Sequence, residues 1–294
     1  MTVCIVAVCE VGGRNTKVVL CADRLVSSVV QFTSGEPKIK KINDYCYALH
    51  SSTDSLVSDA ILEKVAERAK TDGMTSINNI VSILREECLN HKKEEIERDV
   101  LCHYNLTAQS LAVNQVSMLE KAVDDVKNYQ YHLTSEFIIT GLEPSGEAHI
   151  YWVNQDGDYR CHDSIGYCAI GSGGLIAFLE LSKVIYDRGA MYSSAIPLVY
   201  FAKKTSERAT GVGIDTDIFL IHYRKPEDKD SKPTLWNPLF DPKIRTLLDE
   251  AYKKIRENEF NQLNLVCKQF FELIKANIEA EKAKSITSVQ VTGT

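Results

Sequence analysis

The sequence has no apolar run near the roughly 18 residues that a membrane helix requires. No basic leader stands before its first apolar stretch, as a signal peptide would need. The expectation is a cytoplasmic protein with no membrane partner. Positive charge is not in excess: 34 lysines and arginines stand against 40 aspartates and glutamates, for a net charge of −6. There is no basic stripe, and KPEDKDSKP (225–233) mixes both signs as a solvated loop does. A nucleic-acid partner is therefore not expected. The nine cysteines include no CxxC pair. Zinc and disulfide frameworks need such spacings, so these thiols read as small hydrophobes of a reducing compartment. No short-period repeat is present, which argues against a solenoid.

What is present is an ordinary globular composition, 44% hydrophobic and 25% charged over 294 residues. Thr2 to Glu10 (TVCIVAVCE) is β-branched and apolar, the pattern of a strand buried on both faces. Gly12, Gly13 and Asn15 supply a turn, and KVVLCA returns as a second strand ending at Asp23 and Arg24. A polar stretch leads to Pro37 and a short strand, Lys38 to Ile42, followed by Tyr45 to Leu49. Two helices come next, the first capped by Asp54 or Ser55 and stopped near Gly73, the second starting near Thr75 and Ser76. Residues 106–130 carry an apolar helical stripe on Leu111, Val116, Leu119, Val123 and Val126. Strands resume at EFIITG (136–141) and AHIYWV (148–153), and Tyr159 to Ile170 runs into GSGG (171–174). Helices at 174–187 and 194–208, a strand at 217–223, a loop at 225–240 and helices at 241–257 and 261–282 complete the chain. Strands grouped in runs argue for sheets layered with helices, an α+β class, against a doubly wound parallel sheet.

A threonine behind an initiator methionine is ordinarily an accident of the start site. Here the residues after Thr2 form a buried strand, which holds the terminus in the body of the protein. Asp23 and Lys38 bound strands able to lie beside it. Moreover TVCIVAV, CADRLVS, PKIKKINDYCYALHSSTD, FIITG and AIGSGG occur in that order. Together these motifs resemble proteasome β subunits and the HslV protease, members of the N-terminal-nucleophile (Ntn) hydrolase family, over residues 2 to about 223.

The resemblance implies a four-layer αββα sandwich at 2–224, with 98–132 a helical insertion and 225–294 a loop plus C-terminal helical extension. It places the nucleophile at Thr2, with Asp23 and Lys38 beside it. Ser172 contacts the nucleophile's amine, and Glu207 with Thr210 occupies the family's aspartate and serine positions. Ser52 stands where a glycine usually gives its N–H to the oxyanion, and His50 is placed to line a substrate pocket. The residue types suit the chemistry. A hydroxyl is a weak nucleophile that needs a base. A free α-amine has a pKa of about 8 and is partly neutral at cellular pH. A charged lysine held by an aspartate favours loss of the hydroxyl proton. No metal or organic cofactor is required.

A peptide or protein substrate, a homo-oligomeric ring or stacked assembly, and an unfoldase or ATPase partner follow by the same resemblance. No propeptide precedes Thr2, so activation is expected to need only Met1 removal. An Ntn acylase acting on a small amide stays open, as does a catalytically inactive scaffold subunit should Met1 be retained. GSGG reads either as an anion cradle or as a tight turn with Ser172 as a helix cap. Asp215 and Asp217 read as surface turn residues.

Overall fold

The computed structural model describes residues 2–27, 32–34, 37–113, 118–256 and 265–276. In chain order, β1 (Cys4–Cys9) and β2 (Lys17–Asp23) form the expected hairpin, paired from Cys4↔Ala22 to Cys9↔Lys17. β3 (Leu25–Ser27) pairs with β4 (Phe32–Ser34) where the sequence suggested only a polar connection. β5 (Ile39–Lys41) and β6 (Cys46–Ser52) precede α1 (Ser55–Thr71) and α2 (Ile77–Asp99). Asp54 caps α1, its carboxylate accepting from the N–H groups of Leu56 and Val57.

The 98–132 segment folds as a short 3₁₀ turn at Leu101–Tyr104, then α3 (Ala108–Val113) and α4 (Met118–Asn128). Of its predicted stripe, Val116 lies outside the described residues. The side chains of Leu111 and Leu119 are likewise outside the described ones, Val123 and Val126 are half-buried, and Ala122 beside them is buried. β7 (Ser135–Leu142), β8 (Ala148–Asn154), β9 (Tyr159–Cys161) and β10 (Tyr167–Ile170) follow. α5 (Gly174–Lys183), α6 (Tyr192–Ser206) and β11 (Thr216–Tyr223) come next. Within the expected 225–240 loop, β12 (Pro233–Trp236) adds an edge strand whose proline stands first, where no ladder N–H is needed. α7 (Pro242–Arg256) and α8 (265–276) are the last described elements.

Among the described residues the chain is a mixed α+β fold with two five-stranded antiparallel sheets. Their orders are β10-β1-β2-β11-β12 and β5-β6-β7-β8-β9. Side chains alternate faces along a strand, and the core records that alternation. Val3, Ile5 and Ala7 face α5 and α6, while Cys4, Val6 and Val8 face the other sheet. Cys46, Ala48, Phe137 and Ile139 face α1 and α2, while Tyr47, Leu49 and Ile138 face the first sheet. The layers therefore run helices, sheet, sheet, helices. The C-terminal helices belong to this body: Ile244, Leu248, Phe270 and Ile274 are buried in the same cluster as α6.

All nine cysteines are free thiols, six of them buried. Burial pushes the Cys4, Cys88 and Cys168 thiols up to about 12, so they pack as neutral hydrophobes.

At the β7–β8 turn, Glu143, Glu147 and His149 bring one donor atom each within 4.8 Å of one another. The grouping has structural uses. Glu143 Oε1 accepts the Ile77 N–H (3.0 Å) at the start of α2, and His149 Nδ1 lies 2.7 Å from Asp163 Oδ2. The Asp163 hydrogen bond holds the His149 pKa above the ordinary histidine value against the opposing effect of burial. A raised folded-state pKa contributes stability that is full below the unfolded value, about 6.5, and is lost as pH rises through the folded value. The stability gap between wild type and His149→Gln is thus expected to shrink as pH rises from about 6.5 through the raised folded-state value in denaturant melts. A gap that stays constant over that range contradicts the assignment.

Candidate active site

Thr2 is held at the start of β1 by its neighbours. Val3 is fully buried, its N–H donates to Asp23 Oδ1 (3.0 Å), and its carbonyl accepts the Asp23 N–H (3.2 Å). The Thr2 carbonyl accepts from Gly173 N–H (3.1 Å) and Ser172 Oγ (3.3 Å). Thr2 itself is 2% exposed.

Around the Thr2 hydroxyl the structure brings together the residues expected there. Thr2 Oγ1 donates to Asp23 Oδ1 and accepts from Lys38 Nζ. Lys38 also donates to Asp23 Oδ1 (2.9 Å) and to the Leu25 carbonyl (2.6 Å). Asp23 Oδ2 accepts from Gly213 N–H (2.8 Å) and Leu25 N–H (3.3 Å). Asp23 is fully buried and Lys38 nearly so. A carboxylate desolvated to that degree is tolerable only with such a set of donors. The hydroxyl is thus fixed between an ammonium donor and a carboxylate acceptor.

The GSGG turn resolves as structure. Gly171 N–H donates to Glu136 Oε2 (2.9 Å), Gly173 N–H to Thr2 O, and Gly174 N–H to Gly171 O (2.8 Å). These donors are spent inside the protein, which removes the anion-cradle reading. Ser172 does not cap α5; Gly173 holds that position, and the Ser172 hydroxyl turns to the Thr2 carbonyl. Gly171 has φ +86°, and a Cβ there would lie 2.4 Å from Thr2 O and 2.8 Å from Ser51 Oγ. Gly171→Ala is therefore expected to cost about 1–3 kcal/mol and to displace Thr2. A thermal melt and the rate of Thr2 acylation check this; wild-type values for both contradict it.

Ser52 ends β6. Its hydroxyl donates to Asp54 O (2.7 Å) and shares a bond with Ser135 Oγ (2.7 Å). His50 N–H donates across the β5–β6 ladder to Lys38 O (3.4 Å). Backbone groups alternate sides along a strand, so Ser52, two residues on, turns its N–H to that same side, beyond the first residue of β5. The His50 side chain lies against α1, with Nε2 3.1 Å from Asp59 Oδ1. Its Nδ1 is buried without a hydrogen-bond partner among the described residues. Burial resists ionisation of Asp59, but His50 and Lys40 outweigh it and hold the carboxyl below its ordinary pKa.

Glu207 and Thr210 do not join the Thr2 cluster. Glu207 caps the end of α6 and pairs with Lys203 (2.6 Å) and Lys204 (3.0 Å). Thr210 is exposed in the following turn. The residue of this loop that reaches the cluster is Gly213, three positions beyond Thr210, through its N–H to Asp23. Asp217 also corrects its surface reading. It is a buried β11 residue that accepts Arg24 through both carboxylate oxygens (2.8 and 2.5 Å), whereas Asp215 is exposed.

Gly213, Lys203 and Ser51 carry no motif. Only the spacing of Lys203 from Ile196, Val199 and Tyr200 on one helix face marks it as facing inward. A polar cleft of about 790 Å³, lined in part by Arg24, Lys204, Asp217, Arg245 and Asp249, opens beside the Arg24–Asp217 pair; Thr2 is not part of its wall.

Among the described residues no helix is long and apolar enough to cross a membrane. No family model matches the chain, and no curated protein matches it significantly.

Proposed function

We propose that this chain is an N-terminal threonine hydrolase of the Ntn type, cleaving peptide or amide bonds through an ester on Thr2. The observation that carries the reading is the buried arrangement at the start of β1, with the Thr2 hydroxyl between Asp23 and Lys38. The layer order and the motif order support the same fold family.

As numbered, the Thr2 nitrogen is bonded to Met1, and the mechanism needs it free. The Thr2 amine takes the Oγ1 proton, directly or through a water, while Lys38 stabilises the developing alkoxide. Oγ1 attacks the substrate carbonyl carbon, and the Ser52 N–H binds the oxyanion. One such donor is typically worth about 10²–10³ in rate. The C–N bond breaks, the leaving amine takes the proton from the Thr2 ammonium, and an ester remains. Water then attacks the ester, and the acid departs as the hydroxyl proton returns to Thr2. Asp23 fixes Lys38. A ring or stacked homo-oligomer in the cytoplasm, served by an unfoldase, would confine such a site.

The reading is tested by comparing a chain whose first residue is Thr2 with one that keeps a residue ahead of it, on fluorogenic peptide amides and short N-acyl amides. Turnover is expected from the first chain alone. Equal turnover from both would refute the amine as base. Preference for the short N-acyl amides would assign an acylase within the same chemistry.

A further inference from the structure

Lys203 is buried in the interior of the protein, and nothing in the chemistry above uses it. Its relative exposure is 0%, yet it sits on the apolar face of α6. Its Nζ donates to Glu207 Oε1 (2.6 Å), Gly213 O (2.9 Å) and Ile214 O (3.0 Å). Three acceptors match the three donors of an ammonium. Burial lowers its pKa from the ordinary lysine value, and Glu207 opposes that shift. An ammonium this desolvated is costly unless its partners are fixed. Two of its partners are backbone carbonyls of the loop joining α6 to β11.

That loop touches the Thr2 cluster at one residue. Gly213, whose carbonyl Lys203 holds, gives its N–H to Asp23 Oδ2 (2.8 Å). The other Asp23 oxygen is the one bonded by Thr2 Oγ1, Lys38 and the Val3 N–H. A carboxylate is rigid, so fixing Oδ2 fixes the direction of Oδ1. We propose that Lys203 is a positioning residue for the Thr2 site: it clamps the 207–214 loop so that Gly213 N–H holds the Asp23 carboxylate, which sets the Thr2 hydroxyl and Lys38 in register. The inference rests on the hydrolase reading for its consequence in rate, while its structural half stands alone.

The test uses the full chain beginning at Thr2 and a β-lactone probe. Thr2 Oγ1 attacks the lactone carbonyl, the ring C–O bond breaks, the released alkoxide takes the hydroxyl proton, and an ester forms. Lys203→Met keeps the volume and removes the three donors. Its acylation rate constant is expected to fall roughly 10- to 100-fold, the cost of a misplacement near 1 Å, with probe affinity and labelled fraction unchanged. A merely destabilised variant would lose labelled fraction and keep the rate constant of its folded molecules. Lys204→Met, which touches Glu207 and no loop carbonyl, is expected to label at the wild-type rate. Gly213→Ala gives a second route if Lys203→Met does not fold. A Cβ there would lie 2.6 Å from Leu25 Cβ and 3.2 Å from Asp23 Oδ2, so the loop must withdraw and labelling must slow.

Wild-type acylation rates in folded Lys203→Met or in Gly213→Ala overturn the proposal. If the wild-type chain is not labelled at all, the hydrolase reading fails, and amide exchange at Gly213 decides the clamp. Exchange at least about tenfold faster in Lys203→Met supports it; unchanged exchange overturns it.

Discussion

Thr2→Ala, in a chain that begins at residue 2, is expected to lower amide hydrolysis by roughly four orders of magnitude or more, the scale on which loss of an enzyme nucleophile is felt. The fold should survive. Thr2 Oγ1 makes hydrogen bonds to Asp23 and Lys38 that bond each other directly at 2.9 Å, and both keep backbone partners when the hydroxyl is gone. Thr2→Ser keeps the hydroxyl and loses only a methyl, so it should retain activity within about tenfold of wild type. Hydrolysis rates and thermal melts of the three chains separate the outcomes. Activity retained by Thr2→Ala removes Thr2 as nucleophile, whatever the fold proves to be.

The second large effect is expected at the buried ion pair. Lys38→Met leaves Asp23 desolvated without its cation, a loss of about 3–5 kcal/mol. Asp23→Ala should be worse. It strips the acceptor from the backbone N–H groups of Val3, Leu25 and Gly213 as well as from Lys38. Orphaned buried donors each cost about 1–3 kcal/mol. The double variant Asp23→Ala/Lys38→Met should then be less destabilised than the sum of the singles, with a coupling of about 1–3 kcal/mol. All three should be catalytically silent if Lys38 stabilises the alkoxide. Denaturant titration gives the cycle. Additive single effects would mean that the pair does not interact as the distances state.

Much of this could be read before any coordinates. TVCIVAV alternates between two buried faces and turned out to feed two separate cores. Asp23 and Lys38 were legible through the motif resemblance; a place at a strand end alone does not tell Lys38 from Lys40 and Lys41. β3, β4 and β12 were not. They are only three or four residues long, too short for an alternating pattern to show, and each is held by one neighbouring strand, β3 by β4 and β12 by β11. The loop after α6 misled for a related reason. Glu207 and Thr210 fit a carboxylate-and-hydroxyl pattern, but the neighbouring lysines capture Glu207, and the chain must run on to Gly213 before it meets Asp23. A backbone N–H leaves no mark in a sequence. A buried lysine leaves only a faint one, the helical spacing of Lys203 from Ile196, Val199 and Tyr200.

The central claim is that Thr2 Oγ1 is the nucleophile, and its most direct test is a mass measurement. A chain beginning at Thr2 is treated with a β-lactone and digested, and the modified peptide is sequenced by fragmentation. The account predicts an adduct of the full lactone mass on the N-terminal residue, Thr2, absent from Thr2→Ala. No adduct, or one carried on a cysteine or lysine elsewhere in the chain, contradicts it.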